Sequence, residues 1–497
     1  MGSLRPTFRH TRAAWYRRPG GAWDAGSLDE ALSAGGGAVV EGPLRLTAGQ
    51  MLQRVAVVAG ALRQSGVRRG DVVAWQLPNG WESDALFRAC WRLGAIAAPV
   101  HHAAGPEDRA RALSQVSPRL VVSSVSSLPA GPPVLLPASA GRPSDLAVVL
   151  FTAGSTGQPK AVLHTQRGLL AKARTMVGVH ALCRDDVVLM PAPASHVSGL
   201  LNGVLVPGVA GIRTVWMPRW EPAAAVGLIE AEQVTFMIGP PTFFVTLMQA
   251  PGFSPARVGS LRLISSGGAG VTPSFVDEAS GAFGALVKRT YGSTEAPTVT
   301  TSSAGDPPDR ARSTDGRATG EAEVRVVDRA SGGDQPRGAT GEVWVRGPEL
   351  FVGYTSVSAT KEAFARGGWF RTGDLGQVDA DGWLTIVGRI KDVIIRGGEN
   401  ISAAEIEAHL EAHPAVHQAA AVGYPDDRLG ERVCAVVVAS GGFDLAECRT
   451  WFESRGVTRF KWPERVLQLP RMPVLGAGKI DRAALRARAA QEGSGHQ

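Results

Sequence analysis

The chain is poor in cysteine, in lysine and in long apolar runs. Four cysteines in 497 residues, Cys90, Cys183, Cys434 and Cys448, form no CxxC pair. That excludes a disulfide framework and predicts reduced thiols in a cytoplasmic protein. No stretch approaches the roughly 18 consecutive apolar residues that suggest a membrane-spanning helix, so no membrane span is expected. The most apolar run, Leu200 to Ile212, is interrupted by Asn202, Gly203, Pro207 and Gly208. The opening MGSLRPTFRHTRAAW is basic but has no apolar segment, which predicts no secretory signal. Pro6 stands where a myristoylation signal needs Ser or Thr. Only seven of the 52 basic residues are lysines. The net charge of +7 would help attract polyanionic ligands. No nucleic-acid-binding motif accompanies it, so no nucleic-acid partner is expected.

What is present describes a soluble globular chain. Hydrophobic residues make up 44% and charged residues 20%, and the length suggests about three compact units at roughly 150 residues each. The first third alternates helix and strand signals. Leu52, Val55, Ala59 and Leu62 recur at helical spacing. A buried strand is expected from Asp71, a helix over about Trp81 to Leu93, and another strand over AIAAPV. This alternation predicts α/β layers. Ser127 to Asp145 and Thr300 to Gly320 are expected to be loops, and the tail QEGSGHQ to be disordered.

Residues 149–165 read VLFTAGSTGQPKAVLHT. An apolar strand, Ala147 to Phe151, runs into Thr152, Gly154, Ser155, Thr156 and Gly157, followed by Pro159 and Lys160. Glycines let several backbone N–H groups point at one place, and hydroxyls add donors, as a triphosphate requires. Taken alone, the segment is equally an ordinary strand-to-helix turn. It is not a Walker A loop, because GxxxxGK[ST] spacing is absent and Ala161 follows the lysine.

Further segments give this loop a context. They are PAPASHVSGL (191–200), LISSGGAGV (263–271), YGSTEA (291–296), the long stretch GWFRTGDLGQVDADGWLTIVGRIKDVIIRGGENISAAEIE (368–407) and PVLGAGKIDRAALR (473–486). Together with TAGSTGQPK they resemble, in order, the motifs of the adenylate-forming superfamily of acyl-CoA synthetases, stand-alone adenylation domains and luciferases. The resemblance covers most of the chain. It implies a large multi-layer N-terminal α/β domain, residues 1–390, and a small mobile α+β C-terminal domain, residues 391–497. It departs from the usual pattern at Ala153, where Ser is common, and at Ala161, where Gly is frequent.

The resemblance also implies roles. Thr152, Gly154, Ser155, Thr156, Gly157 and Lys160 would hold the phosphates. Gly267, Gly268 and Ala269 would lie over adenine and the acyl chain, with Tyr291 and Gly292 at the base. Thr294 would donate to the α-phosphate, and Glu295 would ligate Mg²⁺. Asp374 and Arg389 would bind ribose and phosphate. Lys391 matches the hinge, and Gly397 and Gly398 would border a pantetheine tunnel. Lys479 matches the catalytic lysine. His196, Gly199, Gly239 and Gly267 would line the acid pocket. Three of the seven lysines thus fall at motif positions.

The implied chemistry is attack of a carboxylate on the α-phosphate of MgATP, then transfer of the acyl group from AMP to a thiol. Coenzyme A is the expected acceptor, and a carrier-protein phosphopantetheine remains the alternative. Luciferase-type oxygenation and a degenerate nucleotide-binding protein are further alternatives; the presence of Thr294, Glu295, Asp374, Arg389 and Lys479 together argues against the last. No acidic residue occurs in Ala194 to Val206, where amino-acid-activating relatives hold the substrate ammonium, so an α-amino acid is not expected. An uncharged aliphatic, alicyclic or aromatic tail suits the apolar, glycine-rich walls. AWDAGSLDEAL and WQLPNGWESDALFRACWRLGAIAAPV resemble the branch of cyclohexanecarboxylate and medium-chain acid CoA ligases.

Two other patterns have structural explanations. His409, His413 and His417 recur every four residues, but Pro414 interrupts any helix through them, and no metal site is expected. The basic residues Arg449, Arg455, Arg459, Lys461 and Arg465 are read as a solvated surface, with contact to coenzyme A phosphates as the alternative.

Overall fold

The computed structural model describes residues 4–24, 26–135, 140–152, 160–397, 399–475 and 479–491. The chain divides into two compact units, each mixed α and β. The larger comprises Met1–Gly268, Val276–Val324 and Val345–Arg371; the smaller comprises Ala269–Phe275, Arg325–Trp344 and Thr372–Gln497.

Two sheets organise the larger unit. The nine-stranded sheet runs Arg317–Ala318, Thr300–Thr301, Leu286–Tyr291, Leu263–Gly267, Phe236–Gly239, Val187–Met190, Arg213–Trp216, Val39–Glu41, Leu44–Leu46. Its six central strands pair in parallel. Val187–Met190 and Phe236–Gly239 are buried along their whole length, as parallel strands covered on both faces must be. A five-stranded sheet follows the order Leu120–Val122, Val72–Trp75, Ile96–Pro99, Leu146–Thr152, Lys160–Thr165, the last strand antiparallel.

The expected early helices are present. Ala48–Gln64 begins at a capping box in which Thr47 and Gln50 satisfy each other's backbone N–H groups. It buries Met51, Val55, Val58, Ala59 and Leu62, while Leu52 is half-buried. Trp81–Leu93 is buried from Ser83 onward, including its charges. Arg88 bonds Asp84 at 2.7 Å, and Arg92 bonds Asp29 at 3.0 Å. Leaving either partner of such a buried pair alone would cost several kcal/mol.

Val197 to Ala210, which contains most of the interrupted apolar run, is one continuous helical run with π geometry over Leu200–Leu205. The π turns accommodate the irregular stretch, and Pro207 sits where the π turns pass into the following α segment. Two local expectations are corrected. Thr300 to Gly320 is not simply a loop; it holds the short strand Thr300–Thr301, the short edge strand Arg317–Ala318 and the helix Pro308–Ser313. The glycine-rich segment connects two antiparallel strands rather than a strand and a helix.

In the smaller unit, Glu399–Ser402, Val393–Arg396, Gly430–Ala439 and Val416–Asp426 form a sheet, with Arg465–Gln468 paired to Gly430–Ala439. The helices Ala403–Glu411, Leu445–Ser454 and Arg482–Gln491 accompany it. A further five-stranded sheet, not confined to that unit, consists of Glu323–Val327, Gly341–Arg346, Trp369–Val378, Phe364–Ala365 and Leu384–Arg389. No helix among the described residues is long and apolar enough to cross a membrane.

Candidate active site

Four neighbouring parallel strands end on one edge of the nine-stranded sheet. His196 follows Val187–Met190, Gly239 ends Phe236–Gly239, Gly267 ends Leu263–Gly267, and Tyr291 ends Leu286–Tyr291. Open parallel sheets bind ligands outside the carboxyl ends of their strands. The topology therefore gathers the expected acid-pocket and adenine residues, 95 positions apart in sequence, along one edge.

Gly267 is opposite Thr290 in register. A Cβ there would fall on the Thr290 carbonyl oxygen and side chain, so only glycine permits this approach of the two strand ends. Gly268 and Ala269 follow as an exposed bend. His196 caps the short helix Val197–Gly199 and accepts from Ser198 N–H at Nδ1, 3.3 Å away. Gly199 is buried against the Pro193 carbonyl. The loop before His196 is held by buried Asn79. Its Nδ2 donates to Pro191, Ala192 and Met217 carbonyls, and its Oδ1 accepts from Ala194 N–H.

A second cluster fixes Thr294 and Glu295. Lys160 begins its strand opposite Thr152. Residues 352–355 lie along that strand, with Val352 N–H donating to Leu163 and Leu163 N–H donating to Gly353. This places Tyr354 so that its hydroxyl donates to Glu295 Oε1 at 2.8 Å. Lys160 Nζ sits 5.0 Å from the centre of the Tyr354 ring, within cation–π range. Burial, with the Glu295 carboxylate beside it, pushes the Tyr354 phenol well above its ordinary value, so it remains a donor. From the same strand as Lys160, His164 Nε2 lies 2.7 Å from the Thr294 carbonyl oxygen. Burial pushes His164 down to about 4; the neutral ring donates its Nε2–H to that oxygen. Phe351 N–H donates to the Glu295 carbonyl at 2.9 Å, and Thr294 is buried.

Glu295 Oε2 has no hydrogen-bond partner among the described residues. Nor do those residues contain a group of three or more His, Cys, Asp or Glu able to hold a metal. A single half-buried carboxylate suits Mg²⁺, which usually keeps several waters and takes its other ligands from substrate phosphates.

In the smaller unit Asp374 and Arg389 are register partners across two antiparallel strands. Arg389 Nε bonds Asp374 Oδ1 at 2.8 Å, with the carboxylate buried and the guanidinium substantially exposed. Lys391 is exposed in the short turn Ile390–Asp392. Gly397 adopts a φ of +57°, favoured by glycine. Near Lys479, Leu475 N–H donates to the Lys479 carbonyl at 2.7 Å, and Asp481 N–H donates to the Pro473 carbonyl at 2.9 Å. Gly154, Ser155, Thr156, Gly157 and Gly398 lie outside the described residues.

Asn79, His164 and Tyr354 are site residues that sequence reasoning did not single out. Each acts on a segment more than 50 positions away, a relation without local periodicity. The three spaced histidines make separate contacts. His413 packs on Phe443 and Trp451, His417 bonds Ser440, and His409 packs on Phe452. Of the basic series, Lys461 pairs with Glu405, Arg465 lies over Tyr424, and Arg455 over Trp451.

Comparison with known proteins agrees with this arrangement. Residues 33–355 match the family model described as AMP-binding enzyme, and residues 405–479 match the AMP-binding enzyme C-terminal domain. A medium-chain fatty-acid–CoA ligase of Escherichia coli (strain K12) is 32% identical, over 97% of this chain and 93% of that protein. A salicyl-AMP ligase/salicyl-S-ArCP synthetase of Mycobacterium tuberculosis is also 32% identical, over 98% and 94%. Among solved structures, ATP-bound MatB from Rhodopseudomonas palustris superposes with a TM-score of 0.82 at 26% identity, over 93% of this chain and 99% of that one. With both parts of the pattern matched in order along its length, the chain belongs to the family of AMP-binding, adenylate-forming enzymes.

Proposed function

We propose that this enzyme activates a carboxylic acid with an uncharged aliphatic, alicyclic or aromatic tail. The carboxylate attacks the α-phosphate of ATP, pyrophosphate leaves, and the acyl-adenylate then passes its acyl group to the thiol of coenzyme A, releasing AMP. The observation that carries this reading is the placement of His196, Gly239, Gly267 and Tyr291 at the carboxyl ends of four adjacent strands.

The residues divide the work. Lys160 and its preceding loop hold the β and γ phosphates. Tyr291 offers a flat face to adenine, and Asp374 accepts from the ribose hydroxyls while Arg389 faces the phosphate. Thr294 donates to the α-phosphate. Glu295 holds Mg²⁺, with Tyr354 fixing which carboxylate oxygen is turned toward it. When bound, Mg²⁺ neutralises phosphate charge. Lys479 stabilises the charge that gathers as the carboxylate attacks. Lys391 serves as the hinge between a domain of residues 1–390 and one of residues 391–497, and rotation there withdraws Lys479 and brings Gly397 and Gly398 to the thiol. All four cysteines are free, three of them buried, which suits a reducing cytoplasm.

The similarity to a salicyl-S-ArCP synthetase supports a second acceptor, a carrier-protein phosphopantetheine. Pyrophosphate and AMP release are measured across a panel of carboxylic acids, with and without coenzyme A. Acid-dependent turnover that rises with coenzyme A and yields a thioester is expected. Adenylate and pyrophosphate without transfer to coenzyme A would move the acceptor to a carrier protein. ATP binding with no turnover on any acid would overturn the reading.

A further inference from the structure

The helix that follows Lys479 is tied to the hinge by two of its arginines. Arg482–Gln491 begins three residues after Lys479. Arg486 Nη2 donates to Asp392 Oδ1 at 3.1 Å and to the carbonyl oxygen of Lys391 at 3.4 Å. Arg482 Nε lies 3.8 Å from Asp392 Oδ2. The same Arg482 is anchored in the body of the unit. Its Nη1 is 2.7 Å from Glu407 Oε1 and 3.0 Å from the Ala421 carbonyl oxygen, and its Nη2 donates to Glu407 Oε2 at 2.8 Å. Glu407 Oε1 also accepts from Ala421 N–H at 2.7 Å.

We infer that Arg482 and Arg486 are positioning residues that make the hinge turn and the backbone leading from the helix back to Lys479 one rigid piece. The inference rests on the roles proposed above for Lys391 and Lys479. The physical argument is one of slack. Along the chain 87 residues separate Lys479 from the hinge, and the helix that follows it is otherwise held by packing of Leu485 and Ala489 against Ala420, Val422 and Cys434. A cation that must meet a developing charge to within about 1 Å needs a shorter and more directional link than that path or apolar packing supplies. The arginines shorten the path to one side chain. Asp392, next to the hinge residue, is bound by a helix whose first residue is covalently three positions from Lys479. Arg486 also donates to the Lys391 carbonyl oxygen, the group whose direction changes when ψ of the hinge residue rotates. Charge-assisted bonds of this kind hold direction as well as distance.

The test uses the full-length enzyme and two separate readouts. Acid-dependent exchange of pyrophosphate into ATP reports adenylation, and thioester formation from supplied acyl-adenylate and coenzyme A reports transfer. Arg486→Ala and Asp392→Asn are each made alone and with Lys479→Ala, and Arg486→Lys serves as the conservative variant if the alanine variant fails to fold. In the otherwise natural enzyme, Arg486→Ala is expected to slow exchange roughly 10- to 100-fold with transfer changed about twofold or less, and Arg486→Lys to recover part of the loss. In the Lys479→Ala background the same change is expected to remove nothing further from the residual exchange. Equal loss of both half-reactions, or the same fold-loss with and without Lys479, would overturn the clamp. Full exchange in Lys479→Ala alone would instead overturn the proposed role of the lysine, and the clamp with it.

Discussion

Lys479 and Tyr354 test the site at the scale of single residues. Lys479→Ala is expected to lower adenylate formation by about 100-fold or more while sparing thioester formation from supplied acyl-adenylate. Comparing the two half-reactions checks it, and equal loss in both would count against a lysine that acts in the first alone. Tyr354→Phe removes the hydroxyl that donates to Glu295 Oε1 and leaves the ring under Lys160. A hydrogen bond to a charged group contributes about 1.5–3 kcal/mol, so the KM for MgATP should rise roughly tenfold with a smaller change in kcat. A magnesium titration at saturating acid distinguishes this from a general loss of activity. Glu295 was legible because it sits in a contiguous motif. Tyr354 was not, because its hydroxyl meets the carboxylate through a strand pairing between segments far apart in the chain. Asn79 is hidden in the same way, because its side chain holds a loop more than 100 positions away.

At the scale of elements, local chemistry predicted more than it did for side-chain partners. The helices Ala48–Gln64 and Trp81–Leu93 and the strand Leu146–Thr152 follow from apolar residues and their spacing, which are local. Asn, Gly and Pro within the Val197 to Ala210 run disfavour an isolated helix. Tertiary burial overrides that preference: Leu200 to Gly208 are buried throughout. Gly267 shows the reverse case, where a local residue choice reports a long-range contact. Gly267→Ala would drive a methyl into the Thr290 backbone. The two strand ends must separate, at a cost of about 1–3 kcal/mol. A lower thermal midpoint and weaker ATP binding are expected together, by calorimetry and nucleotide titration. Weaker binding with an unchanged midpoint would mean the strands have room to adjust.

For the whole molecule, buried histidines set the acid limit of stability. Burial, reinforced by Arg167, pushes His10 down to about 4. Burial, with Lys288 and other cations nearby, pushes His180 well below its usual value. Both are neutral in the fold and take up a proton on unfolding once the pH is below about 6.5. Their contribution is therefore complete above about 6.5 and declines as the pH falls toward 4. The slope is up to about 1.4 kcal/mol per pH unit for each group. Thermal midpoints measured from pH 7 to 5 should fall accordingly, and His10→Phe should flatten the dependence.

The central claim is that this fold makes an acyl-adenylate from a free acid and ATP. Its most direct test is exchange of labelled pyrophosphate into ATP with no thiol present. Exchange that requires both a carboxylic acid and magnesium, and that is nearly lost in Lys479→Ala, is the predicted result. Acid-independent release of ADP and phosphate, or no exchange with any acid that binds, would contradict it.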